Sequence, residues 1–311
     1  MEGKHLIVLA GPTASGKTAT AIKLAKAFDA EIISADSRQF YKELSIGTAA
    51  PTAEELAQVK HHFVHNLSIE DKYDVADYER DVLDFLKQYF KTKNIAIMTG
   101  GSGLFIDAVC NGLDSMPDIS EDVRERVSKM LETDGLEALQ KEVERVDNEY
   151  FQVVDKQNPR RLQRALEVYY QTGRPYSTFM QRNVAKRDFD IIKLAILWDR
   201  AELIERINRR VDLMMQQGLL DEVKSVYPKR HLNSLNTVGY KELFDYLDGK
   251  CTLEQAVEQI KINTRQYAKR QMTWLRKNND YQWFTVDEMD GIFNAIFELL
   301  TVPRGRSQFC K

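Results

Sequence analysis

The sequence predicts an α/β fold in which a parallel sheet is flanked by helices and an all-helical domain is inserted. Three observations support this prediction. Short apolar runs alternate with amphipathic helical patterns over residues 5–110, which is typical of β-α-β units with parallel strands. Between residues 118 and 186 strand patterns are absent and charged helical patterns follow one another. A strand pattern returns with the apolar run at residues 191–198, and further long helical patterns follow it. We therefore expect a core of residues 1–117 and 187–311 and a helical insertion domain of residues 118–186.

The individual elements follow from the spacing of the apolar residues. Strands are expected at residues 6–10, 31–34, 95–98, 191–198 and 281–286. Helices are expected at residues 17–28, 76–89, 121–131, 136–143, 159–171, 201–226, 237–247, 253–277 and 289–300. The pair Asn158-Pro159 is typical of a helix start, because the Asn side chain caps a free N–H group and Pro lacks one. Residues 304–311 are expected to be disordered.

Composition excludes several classes of protein. The 311 residues carry a formal net charge of −3, which argues against a uniformly basic nucleic-acid coat but allows a local basic groove. The three cysteines are scattered, so neither a disulfide framework nor a Cys-x-x-Cys metal site is indicated at Cys110, Cys251 or Cys310. Apolar runs stay well below the ~20 residues that cross a bilayer. We expect a cytoplasmic protein without membrane contacts, and a monomer.

The most informative motif directly follows the first apolar run. Residues 11–18 read Gly-Pro-Thr-Ala-Ser-Gly-Lys-Thr and fit the pattern G-x-x-x-x-G-K-[ST] between a strand and a helix. In such a loop backbone N–H groups point at an anion, Lys17 supplies a positive charge and the Thr18 hydroxyl can ligate Mg²⁺. The motif predicts a P-loop NTPase-like core, although it does not identify the diphosphate. The candidate diphosphate-binding residues are Gly11, Pro12, Thr13, Ala14, Ser15, Gly16, Lys17 and Thr18.

A carboxylate stands at the end of the next expected strand, in the segment Asp36-Ser37-Arg38-Gln39-Phe40-Tyr41. Strand ends beside a P-loop converge on the phosphate site, so Asp36 is expected close to the anion that Lys17 holds. There it can bind Mg²⁺ or accept a proton from a nucleophile, which makes Thr18 and Asp36 the candidate metal ligands. The alternative is a structural Asx turn or helix cap, which is common where Asp-Ser leaves a strand.

The expected strand at residues 95–98 ends in a loop of small residues, Thr99-Gly100-Gly101-Ser102-Gly103. The Asp that a P-loop ATPase usually carries at this place is absent from the sequence. Small residues allow a flat ligand or a backbone to approach closely, and they also suit a tight turn from strand to helix. The two interpretations are compatible.

Further short segments along the chain match the same family of proteins as the P-loop and the Asp36 segment do. Together with the P-loop and the Asp36 segment, they make the sequence resemble a bacterial-type tRNA dimethylallyltransferase of the IPP transferase family. The resemblance runs in order from about residue 5 to residue 285 and is far more specific than the P-loop alone. The further matching segments are Ile46-Gly47-Thr48, His61-His62, residues 100–104, residues 164–168, Thr172-Gly173, Val238-Gly239-Tyr240 and residues 265–271.

The resemblance implies an activity and a set of residue roles. Such an enzyme moves a dimethylallyl group from dimethylallyl diphosphate to N6 of the adenosine directly 3′ of the anticodon, with the tRNA anticodon stem-loop as partner and Mg²⁺ as cofactor. Asp36 matches the general base, and residues 13–18 would bind the allylic diphosphate rather than ATP. Arg210 is a candidate for a second cation on the diphosphate, with a solvated helix face as the alternative. The positions that fall in tRNA-contacting stretches are Asp36, Ser37, Arg38, Gln39, Ser102 and Arg124.

The chain also departs from the family's usual residues at two positions. Ala50 stands where Lys is frequent, which removes a surface or phosphate contact. Ser102 stands where Thr is frequent, and the hydroxyl is kept. Neither change touches the residues expected to carry the chemistry.

The residues agree with the implied chemistry. An adenine N6 amine is a poor nucleophile, because its lone pair is delocalised into the ring. It therefore needs a base for its proton and an electrophile that is already ionising. Asp36 can supply the base, while Lys17, the P-loop N–H groups and Mg²⁺ on Thr18 would stabilise the departing diphosphate. The candidate catalytic residues are Asp36, Lys17, Thr18 and Arg210.

Two basic surfaces are candidates for RNA binding. One face of the expected helix 253–277 carries Lys261, Arg265, Lys269 and Arg276. Acidic residues are absent from residues 261–279 despite the negative net charge, which weakens the alternative of an ordinary solvated face. The second surface lies in the insertion and consists of Arg160, Arg161, Leu162, Gln163 and Arg164.

Other functions remain open at this point. A P-loop kinase of a small metabolite or nucleoside would explain the P-loop and Asp36, but not the basic helix or the insertion. A non-catalytic RNA-binding module with a decayed P-loop is disfavoured, because Lys17 and Thr18 are intact. A zinc site is disfavoured as well, since no Cys or acidic ligand lies at a metal-site spacing beside His61, His62 and His65.

Overall fold

A six-stranded parallel sheet forms the centre of the larger part of the molecule. The computed structural model describes residues 3–180 and 184–301. The strands lie in the order β3-β2-β4-β1-β5-β6, and every neighbouring pair is parallel. The predicted α/β class, with a parallel sheet flanked by helices, is confirmed. The strands are β1 His5–Ala10, β2 Ile32–Ser34, β3 His61–His62, β4 Ile95–Gly100, β5 Asp190–Ile196 and β6 Gln282–Phe284.

Twelve α-helices lie within the two described ranges of the chain. They are α1 Lys17–Ala27, α2 Ala53–Gln58, α3 Val75–Tyr89, α4 Gly103–Asn111, α5 Glu121–Val146, α6 Asn148–Val153, α7 Pro159–Thr172, α8 Arg200–Gln216, α9 Leu219–Val226, α10 Tyr240–Leu247, α11 Leu253–Arg276 and α12 Met289–Thr301. None of them combines the length and apolar character that a membrane span requires.

The two faces of the sheet are covered by different helices. Strand β1 is fully buried, and its side chains alternate between the faces. Leu6 and Val8 pack in one cluster with residues of α3 and α4, such as Tyr78. Ile7 and Leu9 pack in another with residues of α1 and α12, such as Ile292. Burial on both faces explains why the strand is continuously apolar.

Three loops that carry the sequence motifs meet at one edge of this sheet. Ala10 of β1 pairs with Gly100 of β4, and Ser34 of β2 pairs with Thr99 of β4. The P-loop, the Asp36 segment and the glycine-rich loop therefore leave three adjacent strands at their carboxyl ends. This is the edge at which open α/β sheets bind ligands.

The chain divides into two compact units. The first contains the sheet and is formed by the residues up to Cys110 together with those from Lys186 onward. The second, residues 111–185, is helical and begins seven residues before the expected insertion boundary at residue 118. At its two ends the backbone N–H of Ala185 donates to the carbonyl oxygen of Asn111 at 2.7 Å.

The helical unit has its own core and capped helices. Val127, Leu139 and Leu166 are fully buried in one cluster. The buried Asp147 carboxylate accepts hydrogen bonds from the Ser177 N–H and hydroxyl, both at 2.7 Å. As predicted for the start of α7, the Asn158 side chain accepts from the Arg161 N–H and Pro159 is the first helical residue.

Several predicted boundaries are wrong. The helix expected at residues 201–226 is two helices, α8 and α9, because Gly218 adopts a φ of 98° that interrupts the helical turn. The strand expected to end at Met98 extends through Gly100, and the one expected to reach residue 198 ends at Ile196. The short elements α2, α4, α6 and β3 were not predicted from the sequence. The expected disorder of residues 304–311 lies outside the described residues.

Candidate active site

The P-loop forms an anion-binding nest between β1 and α1. Ala14 and Gly16 have positive φ values of 63° and 84°, which turns consecutive backbone N–H groups toward the same side. The Lys17 ammonium group donates to the Pro12 carbonyl oxygen at 2.7 Å, so it lies across the loop. The Thr13 N–H donates to the side-chain oxygen of Gln271 at 2.8 Å, which fixes the start of the loop to α11.

Two arginines of α8 border the same loop. The Arg210 guanidinium lies 3.4 Å from the Thr13 hydroxyl, and that of Arg206 donates to the Ala14 carbonyl oxygen at 2.8 Å. Arg206 also stacks 4.2 Å above the Trp198 ring, whose indole N–H donates to the Ser15 carbonyl oxygen at 2.8 Å. The alternative of a solvated helix face is therefore wrong for Arg210, which is partly buried against the nest.

The pKa values of two cationic side chains at the P-loop, Lys17 and Arg210, are lower than usual. The pKa of Lys17 is lowered to about 7, mainly by burial and also by the positive charge of Arg210, while the Asp36 charge opposes both effects. Burial likewise lowers the pKa of Arg210 from its usual value, with Asp36 again opposing the shift. A site that lowers the pKa of two neighbouring cations is prepared for a bound anion, because the anion would offset their mutual repulsion.

Asp36 makes the Asx turn that the sequence allowed and also lines the cavity above the P-loop. Its carboxylate oxygen accepts from the Arg38 N–H at 3.0 Å, and its carbonyl oxygen accepts from the Gln39 N–H at 3.2 Å. A cavity of about 960 Å³ is bordered by the nest, by Asp36 and by Arg210. The nest and the carboxylate are therefore exposed to one common space.

The glycine-rich loop after β4 brings its backbone close to two neighbours. A Cβ atom on Gly100 would lie 2.2 Å from the Ala35 carbonyl oxygen, and one on Gly101 would lie 2.1 Å from the Gln271 amide nitrogen. The Ser102 hydroxyl accepts from the Ser37 N–H at 3.0 Å, so it supports the Asp36 turn. The structure thus confirms a close backbone approach and a strand-to-helix turn at the same residues.

Two residues of α11 also belong to the site, although they were not predicted as site residues from the sequence. The buried Gln271 amide donates to the Gly101 carbonyl oxygen at 2.8 Å while accepting from Thr13, so it joins the P-loop to the glycine-rich loop. Tyr267 lines the cavity one helical turn earlier, and burial raises its pKa to about 12. Their spacing of four residues on the inward face was the available signal.

Arg38 has a different partner from the one expected. Its guanidinium donates to the carbonyl oxygens of Asn233 at 3.2 Å, Ser234 at 3.0 Å and Asn236 at 3.5 Å. In this structure the side chain therefore holds the loop before α10. The expected contact of Arg38 with RNA stays a prediction, and its charged group would have to leave these carbonyls to make it.

A second, smaller cavity of about 110 Å³ adjoins the first. Thr13, Asp36 and Arg210 border both cavities. The smaller one is lined in addition by apolar side chains from α8, α11 and the loop before α10, and by polar ones such as Arg38, Thr48 and Thr264. The apolar residues are Ile207, Val211, Met214, Val238 and Ile260.

Hard oxygen ligands for a metal ion are present beside the nest. The Thr18 hydroxyl and the Asp36 carboxylate both border the large cavity. Mg²⁺ is usually held by one or two such protein groups together with phosphate oxygens and waters, so this donor set fits it. Among the described residues no cluster of three or more His, Cys, Asp or Glu side chains could hold a metal.

His61, His62 and His65, where the sequence disfavours a zinc site, contact other groups of the protein. His62 contacts the Glu31 carboxylate at 2.5 Å, and His61 contacts the Val59 carbonyl oxygen at 2.8 Å. His65 lies 3.3 Å from the Ser45 hydroxyl and borders the large cavity.

The basic face expected on α11 is only partly free. Lys261 pairs with Asp212 at 2.7 Å. Arg265 donates to Asn208 at 2.8 Å and pairs with Glu258 at 3.3 Å. Lys269 is exposed, and within the described part of the chain its ammonium group makes no ion pair.

The basic residues of the helical unit are more exposed to solvent than those of α11. Arg124, Arg160 and Arg161 are exposed. Arg164 is partly exposed and lies 3.6 Å from Glu167. Leu162 is fully buried and Gln163 is buried to 8% exposure, so their side chains stabilise α7 and offer almost no surface to RNA.

Comparisons with known proteins give one consistent result. The family model described as IPP transferase matches residues 39–278. A protein of Christiangramia forsetii named tRNA dimethylallyltransferase is 49% identical over 284 residues, which are 91% of this chain and 94% of that protein. The crystal structure of the full-length tRNA isopentenylpyrophosphate transferase from Bacillus halodurans is 35% identical, has a TM-score of 0.71, and covers 96% of this chain and 97% of its own.

A eukaryotic dimethylallyltransferase, seen in crystallographic snapshots acting on tRNA, has the same fold at 24% identity. Its TM-score is 0.80, over 98% of this chain and 82% of that one.

Proposed function

Since this chain belongs to the family of tRNA dimethylallyltransferases, which transfer a dimethylallyl group to tRNA, we propose how its residues divide that work. The donor is dimethylallyl diphosphate, and the acceptor is N6 of the adenosine directly 3′ of the anticodon. One observation carries the proposal: the anion nest and the Asp36 carboxylate border the same cavity. An electrophile with an anionic leaving group and a nucleophile that must lose a proton need such a pair.

The donor's diphosphate is held by the P-loop in this proposal. The nest offers the N–H groups of Ala14 and Gly16, since the Thr13 N–H is bonded to Gln271 and the Ser15 N–H to the Pro12 carbonyl oxygen. Lys17 and Arg210 add positive charge, and neither makes an ion pair within the described part of the chain. As the C–O bond breaks, negative charge grows on the diphosphate, so the partly buried cations stabilise the transition state more than the ground state. Bound Mg²⁺ would add a further positive charge on the leaving group, with Thr18 and Asp36 as its protein ligands.

The donor's five-carbon group occupies the small cavity beside the nest. Five apolar side chains contribute to the lining of that cavity, and its volume of about 110 Å³ suits a short hydrocarbon group. For comparison, an apolar cavity of roughly 150 Å³ accommodates benzene. Because Thr13 and Asp36 border both cavities, the reactive carbon lies between the diphosphate and the base.

Asp36 accepts the proton of the N6 amine as the new C–N bond forms. The base must be held in one orientation, and the Arg38 N–H and the Gln39 N–H restrain the turn that carries it. To reach Asp36 the adenine leaves its stack, which costs a few kcal/mol and least in a single-stranded loop. This cost favours an anticodon loop as acceptor.

The tRNA backbone is contacted by exposed basic residues. In the helical unit these are Arg124, Arg160, Arg161 and Arg164, and on α11 they are Lys269 and, in part, Arg265. Ser37, Gln39 and Ser102 border or support the Asp36 turn, and they contact the anticodon loop near the target base. Phosphate contacts of this kind position the RNA without reading its sequence.

A mass measurement tests the proposal. Purified protein, Mg²⁺ and dimethylallyl diphosphate are incubated with an anticodon stem-loop, and the product is digested and analysed by mass spectrometry. The expected result is one added C5H8 unit on the adenosine next to the anticodon, and none on a matched stem-loop with guanosine there. An unmodified stem-loop, or transfer of phosphate from ATP to a small acceptor instead, would contradict the proposal.

A further inference from the structure

One carboxylate outside the catalytic loops holds the segment Ser45–Gly47. Glu222 of α9 accepts the N–H groups of Ser45 at 2.9 Å and Ile46 at 2.8 Å on one oxygen. Its other oxygen accepts the Gly47 N–H at 2.9 Å and the Tyr240 hydroxyl at 2.6 Å. Three consecutive N–H groups that converge on an anion form a nest, and here the protein's own carboxylate fills it. The site described above assigns no role to this cluster.

The surroundings leave this cluster little freedom. Tyr240 is fully buried, and burial together with the Glu222 charge raises its pKa well above the usual range, so its hydroxyl stays a donor. A Cβ atom on Gly47 would lie 2.6 Å from the Tyr240 ring. The loop therefore fits against α10 only with glycine at this position and with the carboxylate in place.

The segment after Gly47 leads directly to the catalytic turn. The Gln39 side-chain amide donates to the carbonyl oxygens of Thr48 at 3.3 Å and Ala49 at 3.1 Å. The Gln39 N–H in turn donates to the Asp36 carbonyl oxygen at 3.2 Å. Thr48 also borders both cavities together with Asp36.

We propose that Glu222 is a positioning residue for the transfer reaction. By holding Ser45–Gly47 it fixes the carbonyl groups that restrain Gln39, and through Gln39 it orients the turn that carries Asp36. The inference rests on the proposed function, because the orientation of Asp36 matters only if Asp36 acts on the acceptor. The P-loop, by contrast, is held by Gln271, Trp198 and the α8 arginines, so diphosphate binding does not depend on Glu222.

Glu222→Gln separates these two functions. The amide has one acceptor oxygen for four donors, and its nitrogen would face at least one N–H group, so the loop loses its anchor while the side-chain volume is kept. The matched control is Asp221→Asn on the same helix, since Asp221 is exposed and its one ion pair within the described residues is with Lys224 at 3.3 Å. Gly47→Ala displaces the loop from Tyr240 with Glu222 intact, and it decides the question if Glu222→Gln does not fold.

Two quantities are measured for each variant: the single-turnover transfer rate at saturating tRNA and donor, and the calorimetric Kd of inorganic diphosphate. For Glu222→Gln and Gly47→Ala we expect a rate lower by about 10- to 100-fold with an unchanged Kd. Asp221→Asn should match the wild type in both. A wild-type rate in the folded Gln or Ala variant, or a parallel loss of rate and diphosphate binding, would overturn the inference. Inactive wild-type protein would instead overturn the proposed function.

Discussion

The positive charges of the catalytic unit and those of the helical unit are placed in opposite ways. Lys17 and Arg210 are partly buried beside the P-loop, and burial is the main reason that the pKa of each is lowered. Arg124, Arg160 and Arg161 of the helical unit are exposed to solvent. A charge removed from water acts strongly on an anion in contact with it, whereas an exposed charge is screened within about 10 Å. Under the proposed function, the same residue types therefore serve chemistry in one unit and RNA attraction in the other.

The largest effect is expected at Asp36, the carboxylate that the proposed function places between the donor and the acceptor. Asp36→Asn keeps the shape of the turn but removes the base, and Asp36→Ala removes both. We expect each to lower the single-turnover transfer rate at saturating donor and Mg²⁺ by roughly 10²- to 10⁴-fold. The rate is measured by quenched digestion and mass spectrometry, with Asp221→Asn as the control. An unchanged rate would show that Asp36 is not the base.

An intermediate effect is expected at the buried cation. The pKa of Lys17 is about 7 in the folded protein and 10.5 in the unfolded chain, so folding releases a proton between these values. The resulting penalty on stability is complete below pH 7 and disappears as the pH approaches 10.5. Lys17→Met should therefore raise Tm at pH 6 by roughly 2–4 °C, while it weakens donor binding by about 10- to 100-fold. Lys23→Met, on the exposed face of α1, should do neither.

The same pKa predicts proton uptake when the wild-type protein binds its donor. At pH 8 most of the free protein has a neutral Lys17, and a bound diphosphate favours the charged form. Calorimetric titration with dimethylallyl diphosphate in two buffers of different ionisation enthalpy measures the uptake directly. Equal apparent enthalpies in the two buffers would contradict the depressed pKa and the role of Lys17 on the diphosphate.

The smallest effect is expected on the exposed surface. Arg160→Gln and Arg161→Gln should each weaken tRNA binding only a few-fold and reduce the slope of log K against log salt by about 0.7 to 0.9. The transfer rate at saturating tRNA should stay unchanged. The control is Arg145→Gln in the same unit, because the Arg145 guanidinium already pairs with Glu142 at 2.7 Å. A slope that does not change for either arginine would remove α7 from the RNA interface.

The sequence predicted those parts of the site that are continuous along the chain. The P-loop and the Asp36 turn each lie within a few residues of a recognisable strand end, so the motif and its place in the fold appear together. The same locality made the sheet and the long helices predictable, whereas the two-residue β3 and the six-residue α2 were too short to show a period.

What the sequence could not predict depends on contacts between distant residues. Thr13 and Gln271 are 258 positions apart, and Arg38 lies 196 positions before Ser234. The family resemblance gave Arg38 as a tRNA-contacting position, but the sequence around it gives no sign of the distant carbonyl groups that its guanidinium reaches. Leu162 was likewise grouped with its basic neighbours, although its apolar side chain was better suited to the core.

The bond between Thr13 and Gln271 has a consequence for the order of events on the ribosome. Synthesis proceeds at about 5–20 residues per second, so roughly 13–50 s separate the emergence of the two residues. Until then the nascent P-loop lacks the amide that fixes its first N–H group. An incomplete chain consequently carries an unfinished donor site for nearly the whole of its synthesis, and a truncated product that ends before α11 binds no donor with native affinity.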